Sequence, residues 1–424
     1  LTQAPNKSNV PRRASGGFQG GKNVILLGSF LHRDELDDLL GRALEDRFTA
    51  ADARRLKVIV NLNAYAARTW SDAFATELFQ ALHGVELASS PATCKSALKD
   101  LIVANPPVHN RRIDELLTRY AQFPEDFYRE TPYDGMLFTT DDPPRYGGSR
   151  RIKRVRRIAE KSARRLVDYM YDQIRQRADE LASERARRLG IPKDQLITPV
   201  EEMAAEFTHA ERRVLKSIRE HLFVAAMPHF HIDDVVGIRV LADADLAERF
   251  DAWLGDRPDL SIVDEKRFSG DFVGRNMVLA YRLPLDRLRR AVPTGEHAER
   301  LISRGVAPDQ ATLEAEYLRF VDGAEGHVRF EVLLIDYEQL LESEIGRSMH
   351  EAHVLDQREN QVYRGRLATN VEALMNWLFA FALSPCTTFD ELPIRMRGTY
   401  LPDYFDRIHR RLYELPHGQH GLTM

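Results

Sequence analysis

From residue 235 onward the chain alternates short β-branched runs with helical stretches, and this alternation constrains the fold more than any other feature. VVGIRVLA (235–242), NMVLAYRL (276–283) and HVRFEVLLID (327–336) read as strands, and ADLAERFDAWLG (244–255) reads as a helix. Strands this apolar have to be covered by helices, so the fold class expected is α/β (α+β) with a mixed sheet and helical flanks. The charged stretch 284–326, with its helical patches, reads as an insertion between two strands. Beyond Asp336 the pattern is mostly helical, with YEQLLESEIGRSMHEAHV and then ATNVEALMNWLFAFAL, and 366–424 is expected to be a C-terminal helical region. The Trp, Phe and Leu of that last helix read as core.

Upstream, residues 1–22 are rich in Gly, Pro, Ser and Asn and are expected to form a disordered tail. NVILLGSF (23–30) and KVIVNLN (57–63) read as buried strands followed by helices, which predicts a separate small N-terminal α/β domain over 23–145. TTDDPPRYGGS (139–149) is its expected linker to the rest. From Ser149 the chain reads as a long basic helix ended by Gly190-Ile191-Pro192. A second helix is expected over 198–222, with Thr198 as its N-cap and Glu201 closing a capping box, so that 150–222 leads into the core.

At 424 residues the chain is expected to hold two or three domains. A formal net charge of -4 gives no global pull toward nucleic acid, so any basic patch has to be local. Cys94 and Cys386 stand far apart and in no ligand-like spacing, which points to the cytoplasm rather than to a disulfide framework. The longest apolar stretch, near 374–383, is about half a membrane span, so no membrane role is expected. No charged-then-apolar leader opens the sequence, and a first residue other than Met suggests a truncated or processed start.

The chemistry-bearing string is His231-Ile-Asp-Asp-Val-Val-Gly-Ile-Arg-Val240, an acidic pair directly before a β-branched strand. A carboxylate at a strand edge can face a cleft and hold a hard divalent cation, and Mg²⁺ needs only one or two such protein ligands. Asp234 is the residue so placed. About twenty residues upstream lies Arg212-Arg213-Val-Leu-Lys216-Ser217-Ile-Arg219, and downstream come Gly270-Asp-Phe272-Val-Gly-Arg-Asn276 and Arg329-Phe-Glu331-Val-Leu-Leu, followed by Met349, His350 and His353.

In that order these segments resemble the catalytic core of RelA/SpoT-type alarmone synthetases, over roughly 205–365. D-V-V-G-I-R is similar to their D-I-A-G-I-R strand, the basic segment to their R-x-K-S donor helix, and F-E-V-L-L to their E-V-Q-I-R-T strand. The resemblance implies a nucleotidyltransferase-like core in which Asp234 and Glu331 hold Mg²⁺ and are catalytic. It implies that Arg213, Lys216, Ser217, Arg219 and Arg239 bind ATP, and that Phe272, Asn276 and His350 face the acceptor. The implied reaction moves pyrophosphate from ATP to a ribose 3′-hydroxyl and releases AMP. Phe272 stands where the family has a base-stacking tyrosine, Asn276 where it has a histidine, and Leu333, Ile335 and Asp336 where it has Gln, Arg and Thr. The acceptor is therefore open between GDP or GTP and an RNA or tRNA end.

A second basic element competes for the donor role. Arg151, Lys153, Arg154, Arg157 and Lys161 lie in one R-I-K…I-A-E-K run that is also similar to the donor helix, but some eighty residues before Asp234. Spacing favours Arg213 and Lys216 as donor ligands and leaves the earlier run as an RNA or phosphate contact, whose binding would weaken with salt. A nucleotide- or RNA-binding regulatory module that has lost turnover is the alternative function. Self-association, and a partner or ligand of the N-terminal domain, are compatible with the sequence. Two weaker patterns are noted: Gly28-Ser29 with Asp34, Asp37 and Asp38, and Met227-Pro-His229-Phe-His231.

Overall fold

The structure is a computed structural model that describes residues 24–140, 143–269, 273–360, 365–393, 395–396 and 412–413. The expected tail at 1–22 and most of the last thirty residues lie outside the described residues. The strands are β1 (Ile25–Leu27), β2 (Ala88–Cys94), β3 (Pro132–Thr140), β4 (Arg145–Ile152), β5 (Phe230–Ile232), β6 (Val236–Leu241), β7 (Leu260–Phe268), β8 (Gly274–Arg282) and β9 (His327–Ile335). The helices of the first half are α1 (Arg33–Leu44), α2 (Ala50–His83), α3 (Lys95–Ala104), α4 (Arg111–Gln122), α5 (Val155–Leu189), α6 (Val200–Arg219) and α7 (Leu222–Ala225). Those of the second half are α8 (Ala244–Gly255), α9 (Leu285–Arg290), α10 (Gly295–Ser303), α11 (Gln310–Asp322), α12 (Tyr337–Glu344), α13 (His350–Glu359) and α14 (Arg366–Leu383).

Seven strands form one mixed sheet in the order β2-β3-β4-β6-β9-β8-β7, with β6 and β9 parallel and every other pair antiparallel. This corrects the expectation of a separate N-terminal domain. β2 and β3 belong to the same sheet as β6 and β9, and the described residues of 139–149 include the end of β3 and the start of β4, which pair with each other, rather than a linker. KVIVNLN is not a strand but part of α2, whose 34 residues run beneath the sheet. The helices α9 to α11 fill the expected insertion between β8 and β9. β1 pairs only with β5, in a small parallel ribbon.

Side-chain alternation divides the sheet into two faces. Val236, Ile238 and Val240, with Val328, Phe330, Val332 and Leu334, are buried against Trp70, Phe74 and Phe79 of α2. The residues between them, Gly237, Arg239, Glu331 and Leu333, face the opposite side, where α5, α13 and α14 stand off from the sheet. α2 shares one core with α5 and α14 and another with the sheet, which explains why it is apolar on more than one face. The basic run is also more divided than expected. Arg150 and Arg151 lie on β4, and the helix starts only at Val155. Thr198 does not cap α6, whose N-cap is Pro199 with no side-chain bond.

Candidate functional site

The open face of the sheet and the helices above it enclose a cavity of about 1140 Å³. Its floor is one row of residues in register across three strands: Arg151 on β4, Gly237 on β6 and Glu331 on β9. Gly237 keeps that row open. A Cβ there would lie 3.1 Å from Arg151 Nε and 3.6 Å from Glu331 Oε2, so the arginine crosses the glycine to reach the glutamate. Arg151 Nη2 donates to Glu331 Oε2 at 3.1 Å, and Asn276 Nδ2 donates to Oε1 at 2.8 Å.

Asp234 sits immediately before β6, where the chain enters the sheet, and Lys153 N donates to Val235 O to fix that entry against the end of β4. Two ammonium groups converge on the Asp234 carboxylate, Lys153 Nζ at 2.5 Å and Lys161 Nζ at 2.6 Å from Oδ2. Burial alone would push this carboxyl up, but the paired lysines outweigh it and hold the group well below the usual carboxylate range. Lys153 is affected in the opposite sense. Burial brings its ammonium down to about 8 despite the adjacent carboxylate. The other carboxylate oxygen, Asp234 Oδ1, is buried and has no hydrogen-bond partner among the described residues.

Arg154, the N-cap of α5, and Arg157, Arg164 and Arg165 within it continue the basic wall, and Glu160 ties α5 to α13 through Arg358 at 2.9 Å. At the other end of the cavity a buried ionic cluster stands behind the wall. Glu344 accepts from Lys95 and from Arg239, each at 2.7 Å, and Lys99 donates to the Glu344 and Phe127 carbonyls, also at 2.7 Å. Burial opposes ionisation of Glu344, yet Lys95, Arg239 and Lys99 keep its pKa far below the ordinary glutamate value.

Of the residues singled out in the sequence, the cavity is lined by Asp234, Glu331, Arg239 and His350 together with Arg151, Lys153, Arg154, Arg157 and Lys161. Arg213, Lys216, Ser217 and Arg219 are not among its lining residues, which corrects the choice made on spacing. They sit on α6, where Lys216 faces Glu220 and Ser217 bonds back to Val214 O. Linear spacing misled because α5 and α6 form a helical hairpin that leaves the sheet after Lys161 and returns just before Asp234. Asn276 adjoins the site through Glu331, whereas Phe272 lies outside the described residues. Lys95, Tyr133, Glu344, Glu351 and Arg358 also line the cavity, and no sequence motif marked them.

The two weaker patterns are accounted for by packing. Ser29 Oγ donates to Arg329 O and accepts from Val236 N, and Asp37 accepts the amides of Val24 and Ile25. Among the described residues no group of three or more His, Cys, Asp or Glu forms a cluster of the kind that cages a metal, and His229 and His231 are no exception. Nor is any described helix long and apolar enough to cross a membrane. Compared with protein-family models, curated proteins and solved structures, the chain matches none.

Proposed function

We propose that this chain is a Mg²⁺-dependent transferase with a RelA/SpoT-like nucleotidyltransferase core, moving pyrophosphate from ATP to the ribose hydroxyl of GDP or GTP, or of an RNA or tRNA end. The observation that carries the reading is the convergence of Lys153 and Lys161 on Asp234, in one cavity that Glu331 also lines and that is large enough for a nucleotide. The donor set fits a hard cation: Asp234 is ionised at neutral pH and has an unbonded oxygen, and Mg²⁺ takes one or two carboxylates and completes its shell with water and phosphate oxygens. Asp234 would hold it through Oδ1, and Glu331 on giving up its bond to Arg151 or Asn276. Bound there, it would supply charge neutralisation at the donor phosphates.

The chain's own groups do the rest by position and charge. Lys153, Lys161 and Arg157 neutralise the triphosphate. Arg151, held by Glu331, fixes the floor on which the donor lies. The acceptor hydroxyl oxygen bonds to the β-phosphorus and loses its proton to water, the bond from the α-phosphate bridging oxygen to that phosphorus breaks, and AMP leaves with that oxygen. Given ATP, Mg²⁺ and one of GDP, GTP or tRNA, the purified protein should release AMP, and Asp234→Asn and Glu331→Gln should each abolish that release. AMP release that neither change affects would overturn the reading.

One observation favours a second reading, a nucleotide- or RNA-binding module without turnover. Every oxygen of Glu331 and one of Asp234 is already taken by Arg151, Asn276, Lys153 or Lys161. Salt-sensitive RNA binding that survives Asp234→Asn, with no AMP formed by the wild type, would select it.

A further inference from the structure

Beyond the lysines, the cavity runs on to an aromatic wall that phosphate chemistry does not use. We propose that Tyr133 forms a nucleobase subsite, on whose ring stacks the base of the nucleotide whose phosphates lie at Lys153 and Lys161. This rests on the nucleotide reading above and adds to it the residue that would distinguish a nucleotide from a bare polyphosphate.

The placement follows from the β3–β4 register. Gly135 pairs with Arg151, and a Cβ at Gly135 would lie 2.0 Å from Tyr133 Cε1, so the ring leans along β3 into the space the glycine leaves. Any larger residue at 135 would push it off the floor. Lys95, arriving from the β2 side, lies 5.4 Å from the ring centroid. Arg151, on the β4 side, is drawn the other way across Gly237 to Glu331. Tyr133 itself lines the cavity, and the glycine beneath its ring is buried. Tyr133 is half-buried, and its hydroxyl has no hydrogen-bond partner among the described residues. An aromatic ring held in position by packing loses little freedom when a base stacks on it.

The reach is suitable. Lys153 lies two residues beyond Arg151, about 7 Å along the strand, and β3 lies about 5 Å across from β4. The backbone position under the ring and that of Lys153 are thus roughly 9 Å apart, the scale of a nucleoside between its base and its phosphates. Lys153 and Lys161 stand at the Asp234 end of the cavity, and the ring, with Lys95 over it, stands toward the Glu344 end.

The test is calorimetric titration of the full chain with ATP and with inorganic tripolyphosphate, for wild type, Tyr133→Ala, Tyr133→Phe and Lys161→Met. ATP should bind the wild type more tightly than tripolyphosphate. Tyr133→Ala should weaken ATP roughly tenfold and leave tripolyphosphate unchanged, which also reports an intact fold. Tyr133→Phe should retain ATP affinity, and Lys161→Met should weaken both ligands. Equal losses for both ligands in Tyr133→Ala, or no loss of ATP, would overturn the base subsite while leaving the phosphate site standing. A wild type that binds neither ligand would overturn the nucleotide reading and the subsite with it.

Discussion

Asp234→Asn should make the protein less stable and, at the same time, a better binder of free polyanions. The carboxylate holds two lysines at 2.5 and 2.6 Å, with side chains 23%, 15% and 32% exposed for Asp234, Lys153 and Lys161. Breaking a fully buried pair costs about 3–5 kcal/mol and a surface pair about 0–1, so a site of this exposure should lose roughly 2 kcal/mol. An incoming phosphate experiences the opposite effect. A carboxylate about 5 Å away repels each phosphate charge by on the order of 3 kcal/mol at an effective dielectric of about 20. Salt and partial exposure reduce this to roughly 1–2 kcal/mol, a gain in affinity of about five- to thirtyfold. The assays are urea unfolding and calorimetric titration with tripolyphosphate in the presence of EDTA at pH 7.5. The pH dependence follows from the same pair. Because the folded pKa of Asp234 is lowered from 3.8, its contribution to stability is present above about pH 4 and is lost as pH falls below that, a slope the Asn variant should lack. Polyanion affinity that stays level or falls in Asp234→Asn would refute the view that Lys153 and Lys161 are held ready for phosphate.

Two further outcomes test the frame around the site. Asp37, fully buried, accepts the amides of Val24 and Ile25 on Oδ1, while Oδ2 has no partner among the described residues; burial, with Asp34 and Asp38 nearby, pushes its carboxyl up to about 7. Protonation therefore favours the folded state, so this contribution is complete below about pH 4 and is lost as pH rises through about 7. Moving from 3.8 to about 7 is worth at most roughly 4 kcal/mol, and Asp37→Asn, which keeps the accepting oxygen, should be more stable than wild type at pH 8 and level with it at pH 4 by thermal unfolding. Lys99→Met removes a buried ammonium and strands the carbonyls of Phe127 and Glu344, which should lower unfolding free energy by about 2–4 kcal/mol in urea titrations.

The strands that build the site were legible because their alternation is strict. Val236, Ile238 and Val240 face the helices, and the intervening Gly237 and Arg239 face the cavity, so the period of two gave both the element and its two faces. KVIVNLN was misread because a short apolar run has no period to measure, and α2 is apolar on more than one side where it lies between two cores. The linker expected at 139–149 failed for a related reason. Asp, Pro and Gly mark a change of direction equally in a linker and in a hairpin, and only the pairing of Phe138 with Gly148 separates the two.

The site shows a different limit. R-I-K…I-A-E-K and D-V-V-G-I-R were both visible, but the distance between them along the chain said nothing about their distance in space. A helical hairpin adds many residues and almost no displacement, since its second helix returns antiparallel to its first. Lys153 and Lys161 therefore reach Asp234 across 81 and 73 positions, while the nearer Arg213 and Lys216 ride on the returning helix and do not line the cavity. Order along the chain survives such an insertion, whereas spacing does not. Both basic runs precede Asp234, so order admitted either, and only the packing of α5 shows which one reaches it. Tyr133 had no motif at all, because a residue placed by strand register shows only once the strands are paired.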